Sequence, residues 1–365
     1  MILAAFSELR DHFVKSPKFR AWAAKFPLTR PITRKRTEQL FDLCAGFVYS
    51  QILHACVELR VFDILAQGPQ PASAIDLPPE AATRLLDAAA ALKLTEKRGP
   101  GLYGLGQLGA AMVGNTAALA MITHHAMLYA DLADPIRLLR GEAGQTRLAT
   151  YWAYATANAP AQSAPEQIGA YTSLMAASQT LVASEILDSF NIGRHLCLLD
   201  VGGGDGTFLR AAASRAPDLR LMLFDLPAVA ARAEDQFAQA GLTARARAIG
   251  GSFLSDPLPL GADVISLVRV VHDHDDEPVR HLLRQAWLAL PAGGTLLLGE
   301  PMAETPGAQR MGDAYFGFYL LAMGSGRPRS AGVLTGMLAD AGFARIRQRP
   351  TNTPLLTGLL VATKA

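Results

Sequence analysis

The chain has 365 residues, of which 50% are hydrophobic and 18% are charged, and its formal net charge is +2. The length suggests two domains, and the composition indicates a folded protein with a sizeable core, which excludes a disordered chain. The small net charge argues against a partner held by overall electrostatics. No apolar run is expected to cross a bilayer, and the start of the chain does not have the form of a signal peptide.

Three cysteines, Cys44, Cys56 and Cys197, lack the spacing of a metal site and cannot all pair with one another. Unpaired cysteines are typical of proteins from a reducing compartment. We therefore expect reduced, buried cysteines in a cytoplasmic protein.

Residues 1–37 form a segment rich in basic and aromatic side chains, which we call the basic arm. Its cations are Arg10, Lys15, Lys18, Arg20, Lys25, Arg30, Arg34, Lys35 and Arg36. Its aromatic residues are Phe6, Phe13, Phe19, Trp22 and Phe26. This combination is typical of segments that lie on an anionic membrane surface. The alternative is an arm that packs against a partner subunit, and the pattern does not separate the two.

Residues 38–112 are predicted to form a compact helical unit that ends in a β-hairpin. Helical periodicity covers Glu38–His54, Ala55–Leu65 and Pro79–Leu94. The glycines and the proline of Lys97–Leu105 indicate a tight hairpin. Helices followed by a hairpin are typical of a winged-helix module, which often binds DNA. The candidate recognition helix offers only Arg84 and Lys93 as cations, so we expect it to be buried in a dimer and predict no nucleic-acid partner.

Residues 113–192 lack the alternation of strands and are predicted to form a helical connector. Helices are predicted over Met121–Leu139 and Ala170–Leu187. From residue 193 to 365, strands and helices alternate, which predicts a doubly wound α/β sheet. The predicted strands are Leu198–Val201, Leu219–Phe224, Asp263–Val268, Thr295–Gly299, and an antiparallel pair formed by Arg345–Arg349 and Leu355–Thr363.

The first predicted strand of this sheet leads into a turn packed with glycine, Asp200-Val201-Gly202-Gly203-Gly204-Asp205-Gly206-Thr207. Such a turn brings the backbone close to a nucleotide-type cofactor. A dinucleotide site would have its third glycine where Thr207 stands. The carboxylates of Asp200 and Asp205 would repel a pyrophosphate but suit a ligand with an ammonium and a sulfonium group. The turn therefore predicts S-adenosylmethionine, with a nicotinamide or flavin site and a loop without ligand as alternatives.

The second predicted strand ends in Phe224-Asp225-Leu226-Pro227. Asp225 follows the glycine turn at the spacing expected of an acid that binds ribose hydroxyls. Leu226 is positioned to cover one face of the adenine. The alternative is that Asp225 only caps the helix that starts near Pro227.

The strand that ends near Val268 is followed by the polar run His272-Asp273-His274-Asp275-Asp276-Glu277. Ligands in open α/β sheets bind beyond the carboxyl ends of the strands, and imidazole is a general base suited to neutral pH. Glu300 ends the next strand and is positioned to accept a hydrogen bond from His272 and fix its tautomer. A metal site at His272 and His274, or a His272 that merely caps the next helix, are the alternatives.

Three motifs in this order resemble the S-adenosylmethionine-dependent small-molecule O-methyltransferase family. They are Asp-x-Gly-Gly-Gly-x-Gly at 200–206, Phe-Asp-Leu-Pro at 224–227 and His-Asp-x-x-Asp-Glu at 272–277, within a resemblance that covers about residues 40–365. The resemblance implies a class I methyltransferase fold, which is a Rossmann-like doubly wound sheet, with an N-terminal helical winged-helix dimerisation domain. It implies a homodimer that uses S-adenosylmethionine, releases S-adenosylhomocysteine and needs no metal.

The resemblance also implies roles for individual residues. His272 is the general base and Glu300 is its partner. The cofactor site is implied to include Gly202, Gly204, Asp225, Ser252, Phe253 and Arg269. The glycine turn adds Asp200 to this set, and the end of the second predicted strand adds Leu226. The acceptor side is assigned to Met175, which matches a methionine of the family, and to Asp273, Met127, Phe316 and Met323. Any one of the last three apolar side chains can equally belong to the ordinary core.

The sequence departs from the family pattern at three places. Ser252 follows Gly250-Gly251 where family members often have an acid for the adenine amino group, and His274 replaces a tryptophan. Pro328 stands where a second acid is usual. This last departure predicts that His272 has a single carboxylate partner.

Within the family, the chain resembles the carotenoid O-methyltransferases of phototrophic bacteria, the hydroxyneurosporene and demethylspheroidene type. The likeness rests on Arg30–Arg34, on Ser252 and on the run at 272–277. It implies methyl transfer to the tertiary hydroxyl of an apolar hydroxycarotenoid, in the cytoplasm or at the surface of the inner or photosynthetic membrane. The alternatives are a phenol or catechol acceptor, C-methylation of a bacteriochlorophyllide, a winged-helix regulator with a vestigial cofactor fold, and a nicotinamide enzyme.

Overall fold

The computed structural model describes residues 2–152 and 178–365. Its internal contacts divide the chain into two units, one that ends at Asn115 and one that begins at Thr116. The first unit contains the basic arm and the predicted hairpin. The second contains the glycine turn and the polar run around His272.

The first unit is mainly helical. Its helices are α1 (Ile2–Lys15), α2 (Pro17–Lys25), α3 (Arg30–Glu58), α4 (Val61–Ala66), α5 (Pro79–Ala91) and α6 (Gln107–Ala110). Its small sheet has the strand order β1-β3-β2, with β1 at Gln70–Pro71, β2 at Thr95–Gly99 and β3 at Leu102–Leu105. The predicted hairpin is confirmed, because β2 and β3 pair antiparallel. The predicted helix boundary at His54 is wrong: α3 continues to Glu58, and the chain turns at Arg60, whose φ of 53° is left-handed.

Helix α3 corrects two expectations drawn from the sequence. It is 29 residues long and, by length and composition alone, apolar enough to cross a membrane, although no such run was expected. Little of this apolar stretch is buried within the single chain, and Phe47 and Leu43 are each more than 70% exposed. Cys44 also lies exposed on α3, whereas Cys56 and Cys197 are buried, and all three cysteines are free.

The second unit is an α/β domain preceded by short helices. Its helices are α7 (Thr116–Asp131), α8 (Pro135–Leu139), α9 (Arg147–Tyr151), α10 (178–189), α11 (Thr207–Arg215), α12 (Pro227–Gln239), α13 (Asp276–Ala289), α14 (Phe316–Met323) and α15 (Ala331–Asp340). The helix expected over Met121–Leu139 is two helices, because the carboxylate of Asp134 caps a new helix that begins at Pro135. The first part of the helix predicted over Ala170–Leu187 lies outside the described residues.

One seven-stranded sheet organises this domain, in the order β6-β5-β4-β7-β8-β10-β9. Its strands are β4 (Cys197–Val201), β5 (Arg220–Asp225), β6 (Ala246–Gly250), β7 (Val264–Val268), β8 (Thr295–Glu300), β9 (Phe343–Arg349) and β10 (Gly358–Lys364). Strands β4 to β8 pair in parallel, and β10 pairs antiparallel with both β8 and β9, so the predicted antiparallel pair is confirmed. The order of the strands reverses between β4 and β7. This is the topological switch point, where such sheets bind ligands.

The core lies on both faces of this sheet, since successive side chains of a strand point to opposite sides. Leu199 and Val201 of β4 belong to one buried cluster, which includes Leu282 and Leu283 of α13. Leu198 belongs to the other cluster. Burial on both faces holds the carboxyl ends of β4, β5, β7 and β8 in fixed positions, and the polar residues of the site follow these ends.

Candidate active site

The glycine turn follows β4 in a backbone shape that other residues rarely adopt. Gly202, Gly204 and Gly206 have φ values of 70°, 61° and 77°, in the left-handed region that glycine enters without steric cost. At Gly203 a side chain would collide with the carboxylate of Asp200, because a Cβ atom there would lie 2.4 Å from its Oδ2. The glycines therefore let the backbone close over a buried acid.

Asp200 is a buried acid with one free oxygen. Its side chain is 1% exposed, and its Oδ1 accepts a 2.6 Å hydrogen bond from the hydroxyl of Ser266. Its Oδ2 is buried without a hydrogen-bond partner in the described structure. Burial, and in addition the nearby charge of Asp225, raise the pKa of Asp200 to about 7 against the opposing effect of the Ser266 hydrogen bond. A buried anionic oxygen that lacks a donor fits a cationic ligand.

Asp225 ends β5 and holds the glycine turn from the other side. Its Oδ2 accepts from the backbone N–H of Gly204 at 2.9 Å, and its Oδ1 accepts from that of Leu226 at 2.7 Å. Burial raises the pKa of Asp225 to about 6, although both hydrogen bonds oppose this shift. Helix α12 starts at Pro227 without a side-chain cap, so Asp225 does not cap it. Each oxygen retains a lone pair that can accept a ribose hydroxyl.

Asp205 does not serve the ligand in the way the sequence suggested. Its Oδ1 accepts from both the backbone N–H and the hydroxyl of Thr207, and its Oδ2 lies 3.4 Å from Nη2 of Arg210. These contacts bind the carboxylate to the first turn of helix α11 and place an arginine cation beside it. Of the two acids that flank the turn, only Asp200 keeps an oxygen free of protein donors.

The remaining predicted cofactor residues lie in three different settings. The backbone N–H of Ser252 donates to Asp256, while its Oγ accepts from Leu254. The ring of Phe253 packs edge-to-face on His274 with ring centres 5.2 Å apart. Arg269 follows β7 with a left-handed φ of 59°, and its Nη1 donates to the hydroxyl of Ser178 at 2.6 Å. A left-handed φ in a residue other than glycine marks a position that the surrounding structure enforces.

His272 and Glu300 meet at the carboxyl edge of the sheet, where the sequence placed them. Nδ1 of His272 lies 2.5 Å from Oε2 of Glu300, and the other oxygen of Glu300 accepts from the backbone N–H groups of Val270 and Val271. Since a carboxylate only accepts, Nδ1 carries the proton of the neutral imidazole, and Nε2 has the lone pair that can take a second proton. His272 sits in a short 3₁₀ turn before the N-cap residue of α13, Asp275, so it is not a helix cap.

The expectation of a single carboxylate partner for His272 is incomplete. Oδ1 of Asp273 lies 3.1 Å from Nε2 of His272, so the imidazole is flanked by an acid on each side. Burial by itself would lower the pKa of His272, but the charges of Asp273 and Glu300 and the Glu300 hydrogen bond outweigh it, and the net effect is a raised pKa. Sequence reasoning missed this role because the two residues are neighbours, and neighbouring side chains often diverge.

The raised pKa of His272 predicts the pH dependence of catalysis. His272 accepts a proton only when it is neutral, so kcat should fall as the pH drops through a pKa above its usual value of 6.5. In Asp273→Asn the imidazolium loses one stabilising charge, so the acid limb of kcat should move to lower pH. The comparison is a pH profile of kcat for both proteins. An acid limb at the same or a higher pH in the variant would contradict this account of His272.

The predicted acceptor residues lie around α14. Phe316 packs edge-to-face on the ring of His272, with centres 5.6 Å apart. Phe316 and the half-buried Met127 pack against a hydrophobic cluster that contains Leu320. Met323, at 1% exposure, belongs to the core of this cluster. Asp273 touches His272 as described above, whereas Met175 lies outside the described residues.

A polar network behind Phe316 was not foreseen. His124 Nε2 lies 2.7 Å from the hydroxyl of Tyr319, which also accepts from the indole N–H of Trp152 at 3.1 Å. His125 Nε2 lies 2.6 Å from the hydroxyl of Tyr315. Burial, and in addition the charge of His125, lower the pKa of His124 to about 4, so it is neutral. The partners are about 190 residues apart in sequence, and no local pattern signals such pairs.

The metal alternative finds no support in the part of the chain that the structure describes. Within residues 2–152 and 178–365, no group of three or more histidine, cysteine or acidic side chains is arranged to hold a metal ion. His272 is engaged by carboxylates, and His274 faces Phe253.

Sequence comparisons agree with this geometry. Residues 129–344 match the family model of the O-methyltransferase domain, and residues 41–115 match that of the O-methyltransferase dimerisation domain. The chain is 43% identical to the demethylspheroidene O-methyltransferase of Cereibacter sphaeroides, over 98% of this chain and 95% of that protein. It is 31% identical to the acetylserotonin O-methyltransferase of Mus musculus, over 86% of each chain.

Solved structures show the same fold. Human N-acetylserotonin methyltransferase in complex with S-adenosylmethionine superimposes with a TM-score of 0.75 at 24% identity, covering 90% of this chain and 98% of that one. The mitomycin 7-O-methyltransferase MmcR superimposes with a TM-score of 0.77 at 21% identity, covering 92% and 100%. The class I methyltransferase fold and the N-terminal dimerisation domain expected from the sequence are thereby confirmed.

Proposed function

The chain belongs to the S-adenosylmethionine-dependent O-methyltransferase family, and from that premise we propose that it methylates the tertiary hydroxyl of a hydroxycarotenoid. The observation that carries this proposal is the 43% identity to a demethylspheroidene O-methyltransferase over nearly the whole chain. The enzyme class follows from the family. The acceptor is the proposed part, and phenols and tetrapyrroles are its competitors.

The residues of the glycine turn fit the proposed cofactor. The unpaired Oδ2 of Asp200 is an acceptor for an ammonium group or a water bound to it, and Asp225 is the acceptor for ribose hydroxyls. Leu226, Ser252, Phe253 and Arg269 complete the proposed site, which needs no metal. S-adenosylmethionine supplies the activated methyl group, and S-adenosylhomocysteine is the product that leaves.

The protein contributes position and a base. His272 takes the acceptor proton at Nε2 as the new C–O bond forms, because a free alkoxide is inaccessible near pH 7. Glu300 keeps the proton on Nδ1, and the imidazolium that forms is stabilised by Asp273 and Glu300. Holding the methyl and the acceptor oxygen in line supplies much of the remaining rate enhancement. Phe316 packs on the imidazole and keeps water from that face.

An apolar acceptor suits the surroundings of this base. The hydroxyls of Tyr315 and Tyr319 lie within hydrogen-bond distance of His125 and His124. These polar groups therefore already have partners within the protein. The cluster around them is otherwise apolar, and the partly buried Met127, Phe316 and Leu321 pack against it. A polyene chain gains free energy from burial against such a surface, whereas a polar acceptor would lose hydrogen bonds with water.

A labelled methyl-transfer assay tests the acceptor. Purified protein receives labelled S-adenosylmethionine and, in detergent, a hydroxycarotenoid, a catechol or a bacteriochlorophyllide. Label on the carotenoid alone is expected. Label on the catechol or the tetrapyrrole would retain the family and overturn the acceptor, and cofactor binding without any transfer would overturn all three.

A homodimer accounts for the exposed apolar face of α3. The match to the dimerisation domain begins at residue 41, within α3, and includes the exposed Phe41, Leu43 and Phe47. Exposed apolar side chains in this number are typical of a protein interface. We therefore take this stretch of α3 as part of the surface that the second subunit covers rather than as a membrane span.

The basic arm precedes that match and is proposed to hold the enzyme on an anionic membrane, where an apolar acceptor is dissolved. Its aromatic rings form a continuous row, Phe13–Phe19–Trp22–Phe26, with centres 5.4, 5.6 and 4.9 Å apart. Trp22 is 51% exposed and Phe26 is 38% exposed. Rings of this kind insert at the headgroup level, and the surrounding lysines and arginines attract anionic lipid.

Vesicle binding should depend on both the rings and the charges. We expect the protein to sediment with anionic vesicles, less so at high salt, and at most weakly with neutral ones. Trp22→Ala with Phe26→Ala should weaken binding at least tenfold at unchanged net charge. Removal of residues 1–36 should abolish binding and leave the dimer intact. Binding that survives this deletion, or a dimer that dissociates because of it, would assign the arm to the partner subunit instead.

A further inference from the structure

The loop that carries His272, residues 271–274, is hydrogen-bonded along its length to one segment, Ser325–Arg329. Four consecutive carbonyl oxygens of the loop each accept a hydrogen bond from it. The pairs are Val271 O with Arg329 Nη1 at 2.9 Å, His272 O with Arg327 N at 2.9 Å, Asp273 O with Ser325 Oγ at 2.8 Å, and His274 O with Arg329 Nη2 at 2.8 Å. Arg329 therefore bonds the loop both before and after His272.

The segment can approach this closely only because it contains Gly326. A Cβ atom there would lie 2.1 Å from the carbonyl oxygen of His272, and the φ of Gly326 is 77°. Any side chain would push the segment away from the loop. The contact is thus built into the sequence at this position.

Arg329 is a buried cation whose counterion, Asp276, also pairs with Arg327. The residue is 4% exposed. Its Nε and Nη2 donate to Oδ1 of Asp276 at 3.0 and 2.7 Å, and the hydrogen bond from Arg329 contributes most to the lowered pKa of Asp276. Buried guanidinium groups are costly unless every donor is used. Here one planar fork reaches two carbonyls of the loop, the carbonyl of Arg327 and a carboxylate, which a lysine cannot do.

We propose that Arg329 is a positioning residue for the catalytic base, and this inference rests on the role of His272 in the proposed function. Glu300 orients the imidazole ring, while Arg329 and its segment fix the backbone from which the ring projects. The 2.5 Å contact to Glu300 and the 3.1 Å contact to Asp273 require that backbone to stay in place. Arg329 follows Pro328, the position where the family usually has a second acid.

Arg329→Lys tests this because it keeps the charge and removes the fork. We expect kcat to fall at least tenfold while the Kd for S-adenosylmethionine changes less than twofold. The titratable and charged groups that interact with His272 are Asp273, Glu300, Arg269 and His274. A loop that moves away from Glu300 loses the stabilisation of the imidazolium by that carboxylate, so the pKa of His272 and the acid limb of kcat should shift to lower pH. Arg280→Lys, which alters an exposed ion pair with Asp340, is the matched control and should change neither.

Two further measurements test the positioning role of Arg329 independently of the acceptor and of the stability of Arg329→Lys. NMR titration of His272 in the cofactor-free protein, assigned with His272→Ala, reports its pKa without any acceptor, so failure of the carotenoid assay leaves this test intact. If Arg329→Lys does not fold, Ser325→Ala, which removes only the bond to Asp273 O, should lower kcat twofold or more with unchanged cofactor affinity. A folded Arg329→Lys with the wild-type kcat and His272 pKa would overturn the proposal, as would a Ser325→Ala with the wild-type kcat where Arg329→Lys is unfolded.

Discussion

Replacing His272 by alanine should lower kcat by ~100-fold or more, the usual contribution of a positioned general base. The variant still holds the methyl donor in line with the acceptor, so a residual rate from positioning remains. A 100-fold loss corresponds to about 2.7 kcal/mol of transition-state stabilisation. The affinity for S-adenosylmethionine should stay within about twofold, because the buried acids that fit the cofactor, Asp200 and Asp225, are unchanged.

The experiment compares single-turnover rates and cofactor affinities of the wild type, His272→Ala and His281→Ala. His281 lies exposed on α13, so its loss controls for histidine removal in general. A His272→Ala protein that keeps at least half the wild-type rate would remove His272 from the mechanism. A loss of cofactor binding equal to the loss of rate would assign the residue to the cofactor site.

Glu300→Gln should lower kcat nearly as much, because it changes which nitrogen of His272 carries the proton. Oε1 of Glu300 accepts from the backbone N–H groups of Val270 and Val271, so the amide oxygen of glutamine must take that place. The amide nitrogen then faces His272 and donates to Nδ1, which forces the proton onto Nε2. A histidine with its proton on the wrong nitrogen cannot act as a base, and in Ser-His-Asp triads such a change costs about 10⁴ in kcat.

We expect Glu300→Gln to lose at least ~100-fold in kcat while its melting temperature falls little, because the amide keeps the size and the backbone hydrogen bonds of the carboxylate. Nitrogen-15 NMR of the imidazole should report the changed tautomer directly. Glu142→Gln, on an exposed residue of the same domain, serves as the control. A fully active Glu300→Gln, or an unchanged tautomer with lost activity, would be incompatible with the tautomer argument.

Much of the site was predictable because it lies at the ends of buried strands. Asp200, Asp225 and Glu300 each end an apolar stretch, and a parallel sheet brings such ends to one edge. His272 follows β7 by the same logic. Strand β6 was not predicted, because Ala246–Gly250 is a short edge strand with one arginine and only partial burial, and it lacks the apolar run that identifies central strands.

The parts of the site that could not be predicted depend on which of several possible partners a polar side chain contacts in the folded protein. Asp205 was expected to face the ligand, but it binds the first turn of α11 and Arg210, a competition that spacing does not reveal. No local pattern marks Arg329 as buried, and it is buried because Asp276 and carbonyl oxygens of the loop that carries His272 lie within reach. Such choices are fixed by tertiary contacts between distant segments, which only the folded chain defines.

The two acids beside His272 also affect how the enzyme prepares for its next cycle. Each methylation of a neutral hydroxyl by a sulfonium releases one proton, and in this site that proton arrives on an imidazole that Asp273 and Glu300 hold in its charged form. The same attraction that helps His272 accept the proton slows its return to water. In mildly acidic surroundings a larger fraction of the enzyme therefore keeps a protonated His272 after turnover and cannot begin the next one.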